Sequence, residues 1–92
     1  MTERLVRTAA IVNQRGLHAR ASAAFARVAA KFDARITARF DGMSANAASI
    51  MDLLMLGARM GHTIEIEAEG RQAAEALAAI CDLVARKFDE RD

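Results

Sequence analysis

Two stretches of this chain alternate strictly between apolar and polar residues. Ile36, Ala38 and Phe40 are interleaved with Arg35, Thr37, Arg39 and Asp41, and Ile64, Ile66 and Ala68 with Thr63, Glu65, Glu67 and Glu69. A period of two puts one side of a strand in a core and the other in water, so both segments are expected as strands, the second running from His62 to Glu69. Leu5 to Val12 reads as a further strand whose alternation is blurred by Ala9 and Ala10. Asp41-Gly42 suits the positive φ angles of a two-residue hairpin turn, which predicts that Met43 to Ala48 returns as a weaker antiparallel strand.

Helical spacing appears elsewhere. Phe25, Val28 and Phe32 recur on one stripe, extended backward by Ala21 and Leu17, which predicts a helix from about Ala19 to Phe32. Ser49 can open a short helix ending at Leu56-Gly57, as its N-cap, with Asp52 placed to reach back as in a capping box. Ala73, Leu77, Ile80, Val84 and Phe88 form the stripe of a long helix from Arg71 to about Asp89, with Glu75, Asp82 and Arg86 off it. The order is βαββαβα. Burying every stripe together gives an α+β open-faced sandwich, a four-stranded antiparallel sheet covered on one face by three helices. No linker, repeat or composition break divides residues 1–92, so one domain is expected.

Composition narrows the function. The 53% apolar and 27% charged residues are ordinary for a globular chain, and 92 residues allow one core. Thirteen Lys and Arg are interleaved with twelve Asp and Glu, for a net charge of +1, and the only aromatics are four Phe. Neither a basic face nor a stacking platform for nucleic acid is present. The apolar runs are too short for membrane insertion, and Met1-Thr2-Glu3-Arg4 lacks the features of a secretory signal, so the expected location is the cytoplasm. Cys81 is the single cysteine and falls on or near the last apolar stripe, which favours a buried structural thiol.

The chemistry lies in Gly16-Leu17-His18-Ala19-Arg20, where a strand has ended and a helix begins. His18 is expected at or next to the N-cap of the first helix. The unpaired N–H groups of that turn, including Ala19, Arg20 and Ala21, and the positive end of the helix dipole would receive a dianion carried on the ring. The same positive end disfavours imidazolium and leaves a nucleophilic nitrogen. Arg20 offers a forked, permanently charged donor matched to phosphate oxygens. These parts suit reversible phosphoryl transfer. No second His, Asp or Glu lies nearby in sequence to activate water, and no metal-ligand spacing or cofactor signature is present. On spacing alone a plain capping or surface histidine is the favoured reading of His18. His62, at a turn-to-strand junction, reads as a surface or edge residue.

The Gly16–Arg20 segment resembles the active-site motif of HPr, the histidine phosphocarrier of the bacterial phosphoenolpyruvate-dependent phosphotransferase system. Asp41-Gly42-Met43-Ser44-Ala45-Asn46-Ala47-Ala48-Ser49-Ile50-Met51-Asp52-Leu53-Leu54-Met55-Leu56 is similar to the family's hairpin, regulatory serine and short helix, in register with the histidine. The resemblance implies that His18 is phosphorylated through Nδ1 by phosphorylated enzyme I and passes the group to an EIIA-type acceptor, with Arg20 steadying the phosphate. It implies a stoichiometric carrier with no catalytic activity of its own. It further implies that Ser49 can be phosphorylated by an HPr kinase/phosphorylase, although N-capping alone would also account for this serine. Ile50, Met51, Leu54 and Met55 crowd the short helix with more apolar surface than one core-facing stripe needs. By the same resemblance Ile50 and Met51 are assigned to partner docking, with Ala23, Arg27 and Leu54 at its margin.

The family usually has proline after the arginine. Here Ala21 stands in that position, which leaves the first turn less pre-set by about 0.5–1 kcal/mol of chain entropy. Two alternatives accompany this reading: a nitrogen-related relay that regulates metabolism or transport instead of driving sugar uptake, and a non-catalytic α+β interaction domain in which His18 is structural.

Overall fold

The alternation of the fourth strand sets the plan of the molecule. In the computed structural model, which describes residues 4–90, Ile64, Ile66 and Ala68 are fully buried while Thr63 and Glu65 face water. This strand, β4 (Thr63–Glu69), lies between β1 (Arg4–Ala10) and β2 (Arg35–Phe40), and β3 (Met43–Asn46) forms the far edge, giving the order β1-β4-β2-β3 with every pair antiparallel. Helices α1 (Ala19–Ala29), α2 (Ile50–Met55) and α3 (Ala73–Ala85) follow in the expected βαββαβα sequence. The open-faced sandwich expected from the pattern is the observed architecture.

The buried residues form one cluster. From the sheet come Ile36, Ala38, Ala45, Ile64, Ile66 and Ala68, and from the helices Phe25, Leu53, Leu77, Ile80 and Val84. Alanine recurs through this core, at Ala21, Ala38, Ala68, Ala73 and Ala76, which lets helix backbones approach the sheet closely. The other face of the sheet is charged. Arg4 reaches Glu67 at 3.0 Å and Arg39 reaches Glu67 at 2.7 Å. Hydrogen bonds from Arg4 and then Arg39 hold the Glu67 carboxyl below the usual carboxylate range. Such exposed pairs add little stability, and their effect here is to keep an uncovered sheet face polar. No helix among the described residues is long and apolar enough to cross a membrane.

The hairpin between β2 and β3 turns at Asp41 and Gly42, both at positive φ (52° and 78°), as the dipeptide predicted. Several element ends differ from the sequence pattern. β1 stops at Ala10; Ile11 is buried and pairs through its backbone with Gly61 and His62, and Val12 is exposed. α1 ends at Ala29, so Phe32 packs partly against the core from the following turn instead of from the helix stripe. Ser49 caps α2 by accepting from the Asp52 N–H at 3.1 Å, but the capping box does not close: the Asp52 carboxylate accepts from Asn46 N–H, and Ser49 N–H donates to the Asn46 carbonyl. Cys81 is half-buried, and burial raises its thiol pKa, partly offset by Arg7.

The largest departure is at the C-terminal end. The stripe through Phe88 predicted one helix to about Asp89, whereas α3 ends at Ala85 and Lys87, Phe88 and Asp89 all take positive φ (61°, 55° and 62°). Three consecutive left-handed residues without glycine cost about 1–2 kcal/mol each. Burial of Phe88, left only 7% exposed, returns roughly 1.5–3 kcal/mol, and the turn is further held by Arg86, which bonds to Asp82 and Asp89. Phe88 reaches the core as the stripe required, but from a reversed turn. Replacing Lys87 with glycine should therefore leave stability unchanged or raise it by about 0.5–1 kcal/mol. Glycine at the exposed mid-helix position Ala78 should instead cost about 1 kcal/mol, and urea unfolding of the two variants tests the contrast.

Candidate functional site

The segment between β1 and α1 is shaped by one close approach of backbones. Gly16 has φ +65°, and a Cβ there would lie 2.6 Å from the Ala58 carbonyl oxygen and 2.8 Å from the Arg59 Cα. Only glycine fits. The next residue, Leu17, donates its N–H to the same Ala58 carbonyl at 3.0 Å and buries its side chain, so the chain enters α1 at a fixed point. Ser22 is fully buried in the first turn, with its hydroxyl donating back to the Leu17 carbonyl at 3.3 Å.

His18 is the N-cap of α1, in extended conformation, and its side chain makes no capping bond. The first bond of the helix runs from Ser22 N–H to the His18 carbonyl at 2.8 Å. The amides of Ala19, Arg20 and Ala21 come before it and have no intrahelical acceptor. The imidazole is half-buried, with its side chain 23% exposed. Arg20 is exposed and forms no ion pair among the described residues. Ala21, where the resemblance leads one to expect proline, is fully buried, and α1 begins at Ala19 all the same.

A carboxylate stands beside the histidine. Glu90 Oε2 contacts His18 Nε2, and Glu90 Oε1 accepts from the Asn13 side-chain amide at 3.0 Å. The absence of a neighbouring acid in the local sequence thus does not hold in space. Asn13 is fully buried and also donates to the Gly16 carbonyl at 2.8 Å, linking the glycine turn to the carboxylate. Burial alone would raise the Glu90 pKa; hydrogen bonds from Asn13 and His18, and the nearby charges of His18 and Arg15, outweigh it and hold the carboxyl below its ordinary value of 4.5. Neither Asn13 nor Glu90 carries a local signal in the sequence. Glu90 lies 72 positions from His18 and is delivered by the reversed turn that the helical stripe concealed.

The remaining site residues fall on two helices that pack against one another, α1 and α2. Ala23 is half-buried and Arg27 exposed on α1. On α2, Met51 and Ile50 are 67% and 43% exposed, Leu54 is half-buried, and Leu53 is the residue sent into the core. Met55, already among the residues that crowd the short helix in the sequence, is 64% exposed, and Met60 in the loop after α2 is 56% exposed. His62 takes no part: its Nδ1 accepts from Arg59 N–H and its ring stacks on Phe40 with centroids 4.6 Å apart, closing the loop before β4.

A histidine at a helix N-cap over unpaired amides stands where an anion can be received, and residues 5–86 match the family described as PTS HPr component, phosphorylation site. The chain belongs to the HPr family. It is 48% identical over 87 residues to phosphocarrier protein NPr of Shewanella violacea, covering 95% of this chain and 96% of that protein. It is 38% identical over 86 residues to phosphocarrier protein HPr of Cupriavidus necator, covering 94% and 97%. Its structure superposes on the crystal structure of HPr-C-His from Thermoanaerobacter tengcongensis with a TM-score of 0.91 and 39% identity, over 96% of this chain and 99% of the other. Membership of this family supports a phosphocarrier role in the phosphotransferase system.

Two outcomes follow from the site's construction. Gly16→Ala should lose on the order of 3 kcal/mol, combining left-handed strain with the clash against Ala58, and should perturb the His18 ring signals in NMR spectra. The folded state binds the Glu90 proton more weakly than the unfolded chain does. Its contribution to stability is therefore present above pH 4.5 and lost as pH falls below that value; denaturant titrations across pH 3–6 should show this loss in the parent chain and a smaller one in Glu90→Gln.

Proposed function

We propose that this chain accepts a phosphoryl group on His18 from phosphorylated enzyme I and delivers it to an EIIA-type acceptor. The supporting observation is the solvent-accessible imidazole at the N-cap of α1, with the amides of Ala19, Arg20 and Ala21 unpaired by the helix and the Arg20 guanidinium uncommitted. Backbone donors and a partial positive charge at a helix start receive an anion without trapping it, as a carrier that must release its cargo requires. Arg20 neutralises charge as it spreads over the transferring group. The whole chain, residues 1–92, acts as one carrier domain in the cytoplasm, and its partners do the catalysis.

Ile50 and Met51 form the centre of the docking surface, with Ala23, Arg27 and Leu54 around them. Their exposure leaves apolar area that a partner can cover, and methionine adapts to more than one acceptor. Ser49 borders this surface, half-buried at the α2 N-cap. Phosphorylation there by an HPr kinase/phosphorylase would place a dianion beside the docking residues and weaken acidic partners. The higher identity to an NPr than to an HPr favours the nitrogen-related branch, in which the relay regulates metabolism or transport.

Incubation with phosphoenolpyruvate and enzyme I should add one acid-labile, base-stable phosphate to the parent chain and none to His18→Ala, while Arg20→Ala should be labelled at least tenfold more slowly. Label persisting in His18→Ala would overturn the site. With ATP and the kinase, label should appear on the parent chain and be absent from Ser49→Ala.

A further inference from the structure

We infer that Glu90 is a positioning residue for His18: its carboxylate holds the ring proton on Nε2, so that Nδ1 presents its lone pair to phosphorus, and then balances the positive charge the ring acquires once phosphorylated. The inference rests on the carrier reading of His18 and adds a residue to it.

The geometry leaves little freedom. An ionised carboxylate can only accept hydrogen bonds, so the His18 Nε2 that meets Glu90 Oε2 must carry a hydrogen. A neutral ring has one N–H, and with it on Nε2 the other nitrogen is the nucleophile. In the transfer, the Nδ1 lone pair forms the new P–N bond while the bond from phosphorus to the donor breaks and its electron pair leaves with the donor. The ring keeps its Nε2 hydrogen throughout and becomes cationic. A carboxylate already in contact with that hydrogen meets the new charge without moving, which is the preorganised electrostatic stabilisation that favours a charged product.

Two features of the fold indicate that this contact is held at a cost. Lys87, Phe88 and Asp89 occupy the left-handed region in succession, a rarely populated backbone that persists only where surrounding structure imposes it, and this reversal is what brings Glu90 back over the start of α1. Asn13 is fully buried and spends both amide hydrogens on the Gly16 carbonyl and Glu90, while its Oδ1 is left without a partner among the described residues. A buried acceptor left unpaired is unfavourable, and here it accompanies a donor that fixes one carboxylate oxygen so that the other faces the imidazole. The ring is thereby oriented from a part of the chain that contacts no reacting atom.

The protonation of both histidines can be read from two-bond ¹H–¹⁵N NMR spectra of the unphosphorylated full-length chain, with no phosphate donor present. His18 should be in the Nε2–H form in the parent chain and in Glu90→Gln, whose amide oxygen still accepts, and should shift to a mixture of tautomers in Glu90→Ala. His62, whose Nδ1 is fixed by Arg59 N–H, should remain Nε2–H in all three and serves as the internal reference. In equilibrium with enzyme I and phosphoenolpyruvate, both variants should hold less phosphohistidine relative to the parent, with an equilibrium constant roughly tenfold lower in each because the balancing charge is gone. An Nδ1–H tautomer at His18 in the parent chain, or no change in Glu90→Ala, overturns the positioning role. An unchanged equilibrium in Glu90→Gln overturns the charge-balancing role. Absence of label from a parent chain with the expected tautomer overturns the carrier reading and leaves the orientation of the ring by Glu90 standing.

Discussion

The backbone of Gly16 lies against Ala58 and Arg59 with no space for a side chain, and the position of the whole site follows from that contact. Leu17 donates to the Ala58 carbonyl one residue later, so the chain is pinned at the point where α1 must start. A helix that began one residue earlier or later would rotate its first residues by about 100° and move the ring off the open end. The loop bearing Ala58 follows α2, so the same contact joins the helix that His18 caps to the helix carrying Ile50 and Met51. His18 and that apolar surface are thereby tied through one backbone contact.

Polar accounting around His18 is unusually demanding for so small a chain. Among the described residues Asn13 and Ser22 are the buried polar ones, and both serve the opening of α1: Ser22 ties to the Leu17 carbonyl, and Asn13 ties the Gly16 carbonyl to Glu90. Burial of uncharged polar groups is favourable only when their bonds are made, and the unpaired Asn13 Oδ1 marks the place where that rule is relaxed. The strain in the Lys87–Asp89 turn is concentrated in the same region. Stability is given up locally and supplied by the alanine-lined core between sheet and helices.

The two faces of the sheet divide the labour. One is filled by helices and supports the site at its end; the other carries Arg4, Glu67 and Arg39 in mutual contact and remains in solvent. Of the exposed large apolar side chains among the described residues, Ile50, Met51, Met55 and Met60 lie on α2 and the loop after it, while Val6, Val12 and Met43 lie on β1, just beyond it and on β3. A phosphoryl carrier needs a surface that can be covered briefly and released, and unbranched, polarizable methionine side chains suit such contacts better than a rigid apolar pocket.

The periodicities of β2, β4 and α3, the Asp41-Gly42 turn and the Ser49 cap are local properties, decided by neighbours two to four residues apart, and they were legible in the residues themselves. His18 at a helix start was legible for the same reason, as was the role of Gly16 in turning the chain before it. Element ends were less so, because Ile11, Phe32 and Phe88 are apolar for the sake of the core whether or not the chain around them is regular. Phe88 is the sharpest example: its place on the stripe was right and its backbone was reversed. Glu90 and Asn13 lie outside any local pattern, since a carboxylate 72 positions from a histidine meets it only after β1, β4 and α3 have packed. Sequence alone determined which elements form and which histidine caps the first helix; the tertiary structure decided which charge faces the ring, because long-range contacts are made by packing and leave no period in the chain.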